Sequence, residues 1–228
     1  MARSFPVSLD APAAPKSAQQ IATDLRYAIA SGRFHPHEHL IEESLAAEFA
    51  TNRAVVRSAL AILEGEGLVV REPNRGVRVR AVLPEEATGL LDVRAVLEGL
   101  IARHAAQRIT DAGVRGLARI VARMRKCARA EDFRGYTQAN AEFHAAIGAI
   151  ARHAAATKAL QTVQAQSLRF QFRSVVYTGR IAQSLAEHEA ILSALKARDH
   201  EAADRAGRRH VEHIGDVLRH IGQIEQLA

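Results

Sequence analysis

Several features of secreted, disulfide-bonded or membrane proteins are missing from this sequence of 228 residues. It contains one cysteine, Cys127, so no disulfide can form within the chain, which fits a reducing compartment. No apolar run reaches the ~18 residues of a membrane span, and the N-terminus lacks the apolar segment of a secretory signal. These absences favour a cytoplasmic protein that has no membrane partner.

Aromatic residues are also scarce, since tryptophan is absent and aromatic side chains make up 4% of the chain. The apolar content is nevertheless 48%, and alanine and leucine supply most of it. This composition is typical of a mainly α-helical globular protein. The length suits two domains.

The net charge of +6 does not by itself indicate nucleic-acid binding. Residues 1–80 hold 10 Lys/Arg and 9 Asp/Glu, a net of +1, and residues 81–228 hold 21 and 16, a net of +5. The placement of the charges is more informative than their sum. Between residues 71 and 80 only Glu72 opposes four arginines, which are Arg71, Arg75, Arg78 and Arg80.

The hydrophobic periodicity divides the chain into three parts. Residues 1–16 contain three prolines and no sustained period, which predicts a disordered leader. Residues 17–82 predict a helix from Ser17, helices at about 42–49 and 52–65, and strands at 68–70 and 77–79, with a histidine-rich loop at 35–39. That order is typical of a winged helix-turn-helix. Residues 84–228 predict a six-helix antiparallel bundle, with helices at about 84–109, 111–130, 132–151, 153–178, 180–198 and 200–226.

The helix at 52–65 has the features of a DNA-recognition helix. Arg53 and Arg57 lie one turn apart, opposite the apolar side, where they can contact guanine or phosphate in the major groove. Asn52 can cap the helix and contact DNA. At the wing tip, Arg75 and Gly76 suit a groove or phosphate contact, because glycine permits close approach. A solvated arginine face is the alternative, which the helix-turn-helix context disfavours.

Three histidines in the helical half have a spacing that could hold a metal ion. His188 and His210 lie equally far from Asp199, the predicted turn, so an antiparallel hairpin places them at the same height, ~16 Å from the turn. His144 follows Asn140 by four residues, so both occupy one helix face. Three imidazoles and an oxygen could bind a divalent cation. On spacing alone, buried hydrogen-bonded histidines remain the alternative.

Residues 17–82 resemble the winged-helix domain of the GntR family of bacterial transcriptional regulators. The resemblance lies in PHEHLIEESLA (36–46), ATNRAVVRSAL (50–60), LEGEGLV (63–69) and PNRGVRV (73–79). The two arginines that typically meet DNA in the family correspond to Arg53 and Arg57. The chain departs from the family pattern at four positions, which are His37, Asn52, Ala54 and Ser58. Ala54 lacks the hydroxyl that is usual at its position, which implies an altered operator.

Residues 84–228 resemble the FCD effector domain, in its smaller, VanR-like form. The matching segments are RAVLE (94–98), NAEFH (140–144), EHEAILSAL (187–195) and RRH (208–210). The resemblance implies that His144, His188 and His210 ligate a metal such as zinc or nickel, with Asn140 where the family usually has Asp. Because a neutral amide binds a cation less tightly than a carboxylate does, this replacement weakens the expected site.

The resulting hypothesis is a ligand-responsive transcription factor, with repression as the favoured sign. A homodimer would place two recognition helices ~34 Å apart on a pseudo-palindromic operator. The effector would be a small organic acid or related metabolite, for which the candidate binding residues are Arg94, Arg169 and Arg173.

Two other classes of protein remain open. One is a metal-dependent enzyme, disfavoured because Glu142 and Glu187, the carboxylates next to the histidine motifs, are expected to point elsewhere. The other is an architectural DNA-binding protein, which a collapsed bundle core would favour.

Overall fold

A computed structural model describes the backbone of residues 16–73, 75–82, 84–175 and 179–227. Side chains are described in the same ranges except at 84–85, 168–175 and 220–227. Apart from Lys16, the predicted disordered leader lies outside the described residues. The described residues form nine helices and three short strands, so the chain is mainly α-helical as predicted.

The first six elements form a winged helix-turn-helix, here called the head. They are α1 (Ala18–Ala30), β1 (His39–Leu40), α2 (Glu42–Glu48), α3 (Arg53–Gly65), β2 (Val69–Glu72) and β3 (Gly76–Val79). The central strand β3 is antiparallel to both neighbours, with Glu72 opposite Gly76 at the hairpin end. The helix-turn-helix therefore consists of α2 and α3, and the wing consists of β2 and β3.

Strand β1 is absent from the sequence-based prediction, which gave a loop over residues 35–39 and was wrong at His39. Two backbone hydrogen bonds hold this segment to β3, from the His37 N–H to the Val79 carbonyl and from the Val79 N–H to the Glu38 carbonyl, both at 2.9 Å. A strand of two residues is too short to produce an alternating pattern, so only pairing with β3 reveals it. His37 itself has φ +69°, which explains why glycine is usual there.

The core of the head forms where α1 crosses α3. Ile21 and Leu25 pack against Val56, Leu60 and Leu63, and all five are fully buried. Burying each such aliphatic side chain contributes about 1.5–3 kcal/mol before cavity and entropy effects. The burial of one side of α3 leaves its opposite side free to face a ligand.

Side-chain caps define where the helices of the head begin. Ser17 and Gln20 form a reciprocal capping box at the start of α1. The Asn52 side chain accepts a hydrogen bond from the Val55 N–H at 3.0 Å, so it caps α3 as predicted. A cap of this kind typically contributes about 1 kcal/mol, and here it fixes the direction in which the recognition helix leaves the turn.

The remaining helices form the bundle. They are α4 (Pro84–Arg108), α5 (Asp111–Arg129), α6 (Phe133–Ala151), α7 (Ala154–Val175), α8 (Arg180–Ala197) and α9 (His200–Leu227), close to the six predicted segments. Helices α4 and α9 run antiparallel, because Gly207 meets Glu98 whereas Gly215 meets Leu91. A Cβ on Gly207 would lie 3.0 Å from the Glu98 carbonyl oxygen, so glycine permits this close approach.

A tight turn joins α8 to α9 at the predicted position. Arg198 adopts a left-handed conformation with φ +54°, and the Asp199 carboxylate accepts hydrogen bonds from the N–H groups of Glu201 and Ala202. Both features stop one helix and start the next. The chain therefore folds back on itself and sets His188 beside His210, with ring centroids 4.5 Å apart.

Helix α7 contacts the head as well as the bundle. Ala165 is buried within the hydrophobic core of the head, and the Gln166 side chain packs on Gly67, where a Cβ would lie 2.5 Å from the amide nitrogen. One helix thus contributes to both units. In the described part of the chain, no helix has an apolar stretch long enough to span a bilayer.

Candidate nucleic-acid interface and metal centre

The exposed side of α3 carries the arginines that the sequence assigned to DNA contact. Arg53 opens the helix directly after its Asn52 cap, and Arg57 follows one turn later; both are exposed. Val56 and Leu60 are fully buried on the opposite side. Arg53 and Arg57 therefore lie on a helix face that is anchored from behind, which is the arrangement that a major groove requires.

Glu42, the first residue of α2, organises the arginines next to the recognition helix. Its carboxylate accepts a hydrogen bond from Arg57 at 3.0 Å and lies 4.0 Å from Arg71. The hydrogen bond from Arg57 lowers the pKa of Glu42, whereas partial burial opposes the shift. Because Glu42 partly neutralises this surface, Arg57 must exchange the Glu42 carboxylate for another hydrogen-bond acceptor when it meets a phosphate or a guanine.

Nearby carboxylates compensate most of the positive charge of the four arginines in and next to the wing. Arg78 donates to Glu72 at 2.6 Å, Arg80 pairs with Glu86, and Arg71 pairs with Glu64. Arg75 is exposed at the tip, next to Gly76 with φ +85°. The predicted turn at 73–76 includes Asn74, which lies outside the described residues.

Three histidines converge in the middle of the bundle, and two of them, His188 and His210, were predicted from their spacing to lie at the same height. His144 lies on α6, His188 on α8 and His210 on α9, and one potential ligand atom from each lies within 4.8 Å of the others. The Nε2 atoms of His144 and His188 are 3.2 Å apart. Such a cluster has the size and the nitrogen ligands of a three-histidine metal site.

Each histidine of the cluster is held through its outer nitrogen. The His144 Nδ1 lies 3.3 Å from Glu98, and the His210 Nδ1 lies 2.7 Å from Glu187. The His188 Nδ1 lies 2.5 Å from the Ser184 carbonyl oxygen, to which it can donate. Acceptors on Nδ1 fix the tautomer that leaves Nε2 as a lone-pair donor towards the centre, which is the usual support of a metal-ligating imidazole.

Two buried polar atoms, one on a cluster histidine and one on Asn140, lack a hydrogen-bond partner within the described part of the chain. The His210 Nε2 and the Asn140 Oδ1 are buried, with no hydrogen-bond partner among the residues that the structure describes. Leaving such atoms unpaired costs ~1–3 kcal/mol each, so a ligand is expected there. Asn140 lies one turn before His144 on α6, and its amide oxygen is a harder and less basic donor than imidazole.

The protonation states of the cluster favour metal binding. Burial lowers the pKa of His144 to about 4 and holds the pKa of His188 well below its ordinary value. Neutral imidazoles are the form that ligates a metal, so at neutral pH these two need not lose a proton. Burial alone would raise the pKa of Glu98, but Arg94 and the neighbouring histidines bring it to about 2, so it is a carboxylate.

The two carboxylates that support the histidines were not predicted. Glu187 was expected to point away from the site, and this was wrong, because it contacts His210 and His213 and also pairs with Arg180 at 3.0 Å. The error arose because the helix position of Glu187 relative to His188 was considered without α9, which approaches from the side. Glu142 does point away, towards Arg123.

A cavity of about 1030 Å³ adjoins the histidine cluster between α4, α6 and α7. Arg94, Asn140 and His144 line its inner end, so the cavity meets the candidate metal centre. Arg94 is buried and donates to Glu98 at 2.7 Å, an ion pair that the sequence-based effector assignment did not foresee. The side chains of Arg169 and Arg173, the other predicted effector residues, lie outside the described residues.

Comparisons with known proteins agree with the two-part architecture. The family pattern described as "Bacterial regulatory proteins, gntR family" matches residues 17–79, and the pattern described as "FCD domain" matches residues 89–213. The chain is 27% identical to the HTH-type transcriptional repressor RspR of Escherichia coli K12 over 90% of both chains. It is 26% identical to the Uxu operon regulator of Haemophilus influenzae, over 81% of this chain and 74% of the relative.

Solved structures show the same fold. The E. coli McbR/YncC structure superposes with a TM-score of 0.78 at 18% identity, covering 89% of this chain and 97% of that one. A GntR-type regulator from Rhodococcus sp. RHA1 superposes with a TM-score of 0.68 at 26% identity, covering 88% and 97%. The arrangement of a winged helix before a helical bundle is therefore shared with both structures.

Proposed function

Since the chain belongs to the GntR family of bacterial regulatory proteins and carries an FCD domain, we propose that this transcriptional regulator is a repressor released by a small organic acid. The observation that carries the proposal is the histidine cluster, which adjoins a large cavity lined by Asn140 and His144. Six helices in the described part of the bundle support the smaller, VanR-like form of the domain. Operator DNA as the partner supports a cytoplasmic location.

In this proposal Asn52, Arg53 and Arg57 contact the operator from the recognition helix, and Arg75 and Gly76 contact it from the wing. Exposure of the arginines and the glycine backbone at the wing tip supports these roles. Arginine forks suit guanine and phosphate. Asn52 uses its side-chain oxygen as a cap, so its amide NH₂ is the group that would face DNA.

A zinc or nickel ion held by His144, His188, His210 and Asn140 would supply a Lewis-acidic anchor for an effector carboxylate. Arg94 lies beside that anchor, and Glu98 already neutralises part of its charge. Arg94 would therefore act by orienting the effector carboxylate through hydrogen bonds rather than by charge alone. Arg169 and Arg173 remain proposed effector residues by their place on α7.

The response to an effector would pass along α7. Gln164 lines the cavity and lies 3.5 Å from Glu98, whereas the next two residues pack on the head. An effector that tilts α7 therefore moves the head. In a homodimer, which has two heads, the effector releases DNA only if it favours one arrangement of the heads over the other.

We expect a carboxylic acid that raises the melting temperature of the metal-loaded protein to release it from its operator. A thermal-shift screen run with and without chelator identifies such acids, because a ligand of the folded state stabilises it by about 2.7 kcal/mol at 100 times its Kd. Electrophoretic mobility shift then measures release. The proposal fails if acids stabilise the protein equally with and without metal, or if none that stabilises it changes operator binding.

The regulator is proposed to act as a homodimer. Val93 and Val96 lie one turn apart on α4 and are 50% and 48% exposed, an apolar strip that a second copy would cover. We expect the double substitution Val93→Glu and Val96→Glu to halve the mass measured by light scattering, from twice 24.8 kDa to 24.8 kDa. Phe133→Glu, which changes another half-exposed apolar residue, is the control. An unchanged mass in the double variant argues against this interface.

The two rival classes receive less support. Family membership makes the protein a regulator and not an enzyme. The buried carboxylates Glu98 and Glu187 face the outer nitrogens of His144 and His210, where neither can activate a water at the centre. An architectural protein without a ligand would have a filled bundle, whereas this bundle contains a large cavity.

A further inference from the structure

The cavity has two chemically different ends. Its inner end is formed by Asn140, His144 and Arg94 at the candidate metal centre. Its outer end is formed where α6 gives way to α7, and there it is lined by Arg152, His153 and Lys158. His144 lies on α6, and Arg152 directly follows the last residue of that helix, eight positions later. At the rise of an α-helix, the two ends are therefore ~12 Å apart along the helix axis.

The outer end is cationic without a compensating acid. Arg152 and Lys158 are both exposed and make no ion pair with any side chain that the structure describes, and the described residues that line the cavity include no Asp or Glu. The inner end differs, because Glu98 compensates Arg94 there. The first turn of α7 adds to the positive potential, since α7 begins at Ala154 on the cavity wall and presents the positive end of its dipole.

His153 adds a neutral hydrogen-bond donor to this end. Its Nδ1 accepts a hydrogen bond from the Ala156 N–H at 3.2 Å. A neutral imidazole that accepts at Nδ1 carries its proton at Nε2, which therefore donates. Two cations and a neutral donor then stand together at one end of the cavity.

The space between the ends is shaped for a narrow chain. Four small residues on α6 form one wall, and they lie on one face because of their spacing: Ala141, Ala145, Gly148 and Ala149. Apolar Ile101 and Leu160 face the same cavity. Small apolar walls suit a hydrocarbon or similarly slim spacer, which fits between the charged ends without needing polar partners.

From this layout we infer that the effector is an elongated dianion, with one carboxylate at the metal centre and a second anionic group at Arg152 and Lys158. The inference rests on the proposed function, because it assumes that the cavity holds the effector. The second anion is recognised by charge and hydrogen bonding, so it is a carboxylate or a phosphate-type group. A monoanion of the same length would leave the outer end without a partner.

Isothermal titration calorimetry with zinc-loaded protein tests the inference through pairs of equal length. We expect suberate to bind about 5- to 10-fold tighter than octanoate, the effect of one partly exposed charge-assisted contact. Succinate is too short to reach both ends, so its second carboxylate should not increase its affinity. Heptanoate with a terminal phosphonate, which matches suberate in length, distinguishes a carboxylate-specific outer end, which favours suberate, from one that accepts either anion.

Lys158→Met retains the aliphatic stem and removes the charge, so it should abolish the preference for suberate while leaving octanoate binding unchanged. Arg152→Met should reduce the same preference. Lys126→Met, which removes an exposed lysine of α5, is the matched control and should have no effect. Circular dichroism of each variant shows whether the fold persists.

The outcomes separate this inference from the function on which it rests. Binding of suberate and octanoate with equal affinity, or a preference that survives both Lys158→Met and Arg152→Met, overturns the two-ended effector alone. Binding of neither acid by zinc-loaded protein, together with failure of every acid in the wider screen, overturns the proposed effector site as well.

Discussion

Arg53→Ala and Arg57→Ala are each expected to weaken specific operator binding strongly while the protein keeps its fold and its oligomeric state. Each arginine is exposed on α3 and can make a bidentate contact worth ~1–3 kcal/mol. A homodimer loses the contact twice, so the expected loss is about 2–6 kcal/mol, at least ~30-fold in Kd. Fluorescence anisotropy with operator and with unrelated DNA of equal length, at one salt concentration, measures the loss of specificity.

Arg115→Ala is the matched control, because it removes an equally exposed arginine from α5, on the bundle. Its operator affinity should match that of the unmodified protein. Arg57→Ala also frees Glu42 from its hydrogen bond, so Glu42→Gln in the same background shows whether repulsion of DNA by that carboxylate contributes. Full-strength operator binding by both Arg53→Ala and Arg57→Ala would contradict the assignment of α3 as the recognition helix.

The elements of the head and the bundle could be predicted because local chemistry defines their ends. Asn52 caps α3 at the residue where the pattern placed the start, and Asp199 separates α8 from α9 as predicted. These signals act over three or four residues, so they are visible in the sequence. Strand β1 was missed because its identity depends on β3, about forty residues later.

The candidate site divides in the same way. The equal distance of His188 and His210 from Asp199 predicted that they meet, since an antiparallel hairpin converts equal spacing into equal height. The roles of Glu98 and Glu187 could not be predicted from the sequence, because each contacts a histidine on another helix. Which side of α8 faces α9 depends on the packing of the whole bundle, including the close approach at Gly207.

The cavity was also beyond the reach of the sequence. Arg94 was assigned to the effector from its place on α4, but its ion pair with Glu98, and through it the contact with His144, appears only in three dimensions. The ion pair ties the orientation of Arg94 to the histidine cluster. Metal binding and effector binding are therefore expected to be coupled, with each raising the affinity for the other by the same factor.

His188→Ala should remove the metal from the protein. His188 is fully buried, its Nδ1 is held by the Ser184 carbonyl oxygen, and its Nε2 lies 3.2 Å from that of His144, so alanine there removes one of the three converging imidazoles. We expect zinc affinity to fall by more than the ~10–100-fold that follows loss of a residue supporting a ligand. Glu98→Gln, which changes a residue that supports a ligand, should lower zinc affinity by ~10–100-fold. Elemental analysis after dialysis, and titration with a zinc indicator, measure both.

Two further variants keep the test of the metal site independent of folding. His104→Ala removes a bundle histidine outside the cluster and should retain the metal fully. Asn140→Asp should bind zinc more tightly than the natural chain, because a carboxylate neutralises part of the charge that an amide leaves uncompensated. Zinc at 1,000 times its Kd should stabilise the unmodified protein by about 4 kcal/mol in thermal unfolding, and His188→Ala should show no such shift. Equal metal content in His188→Ala, Asn140→Asp and the unmodified protein would instead mean that the three histidines are only a hydrogen-bonded core.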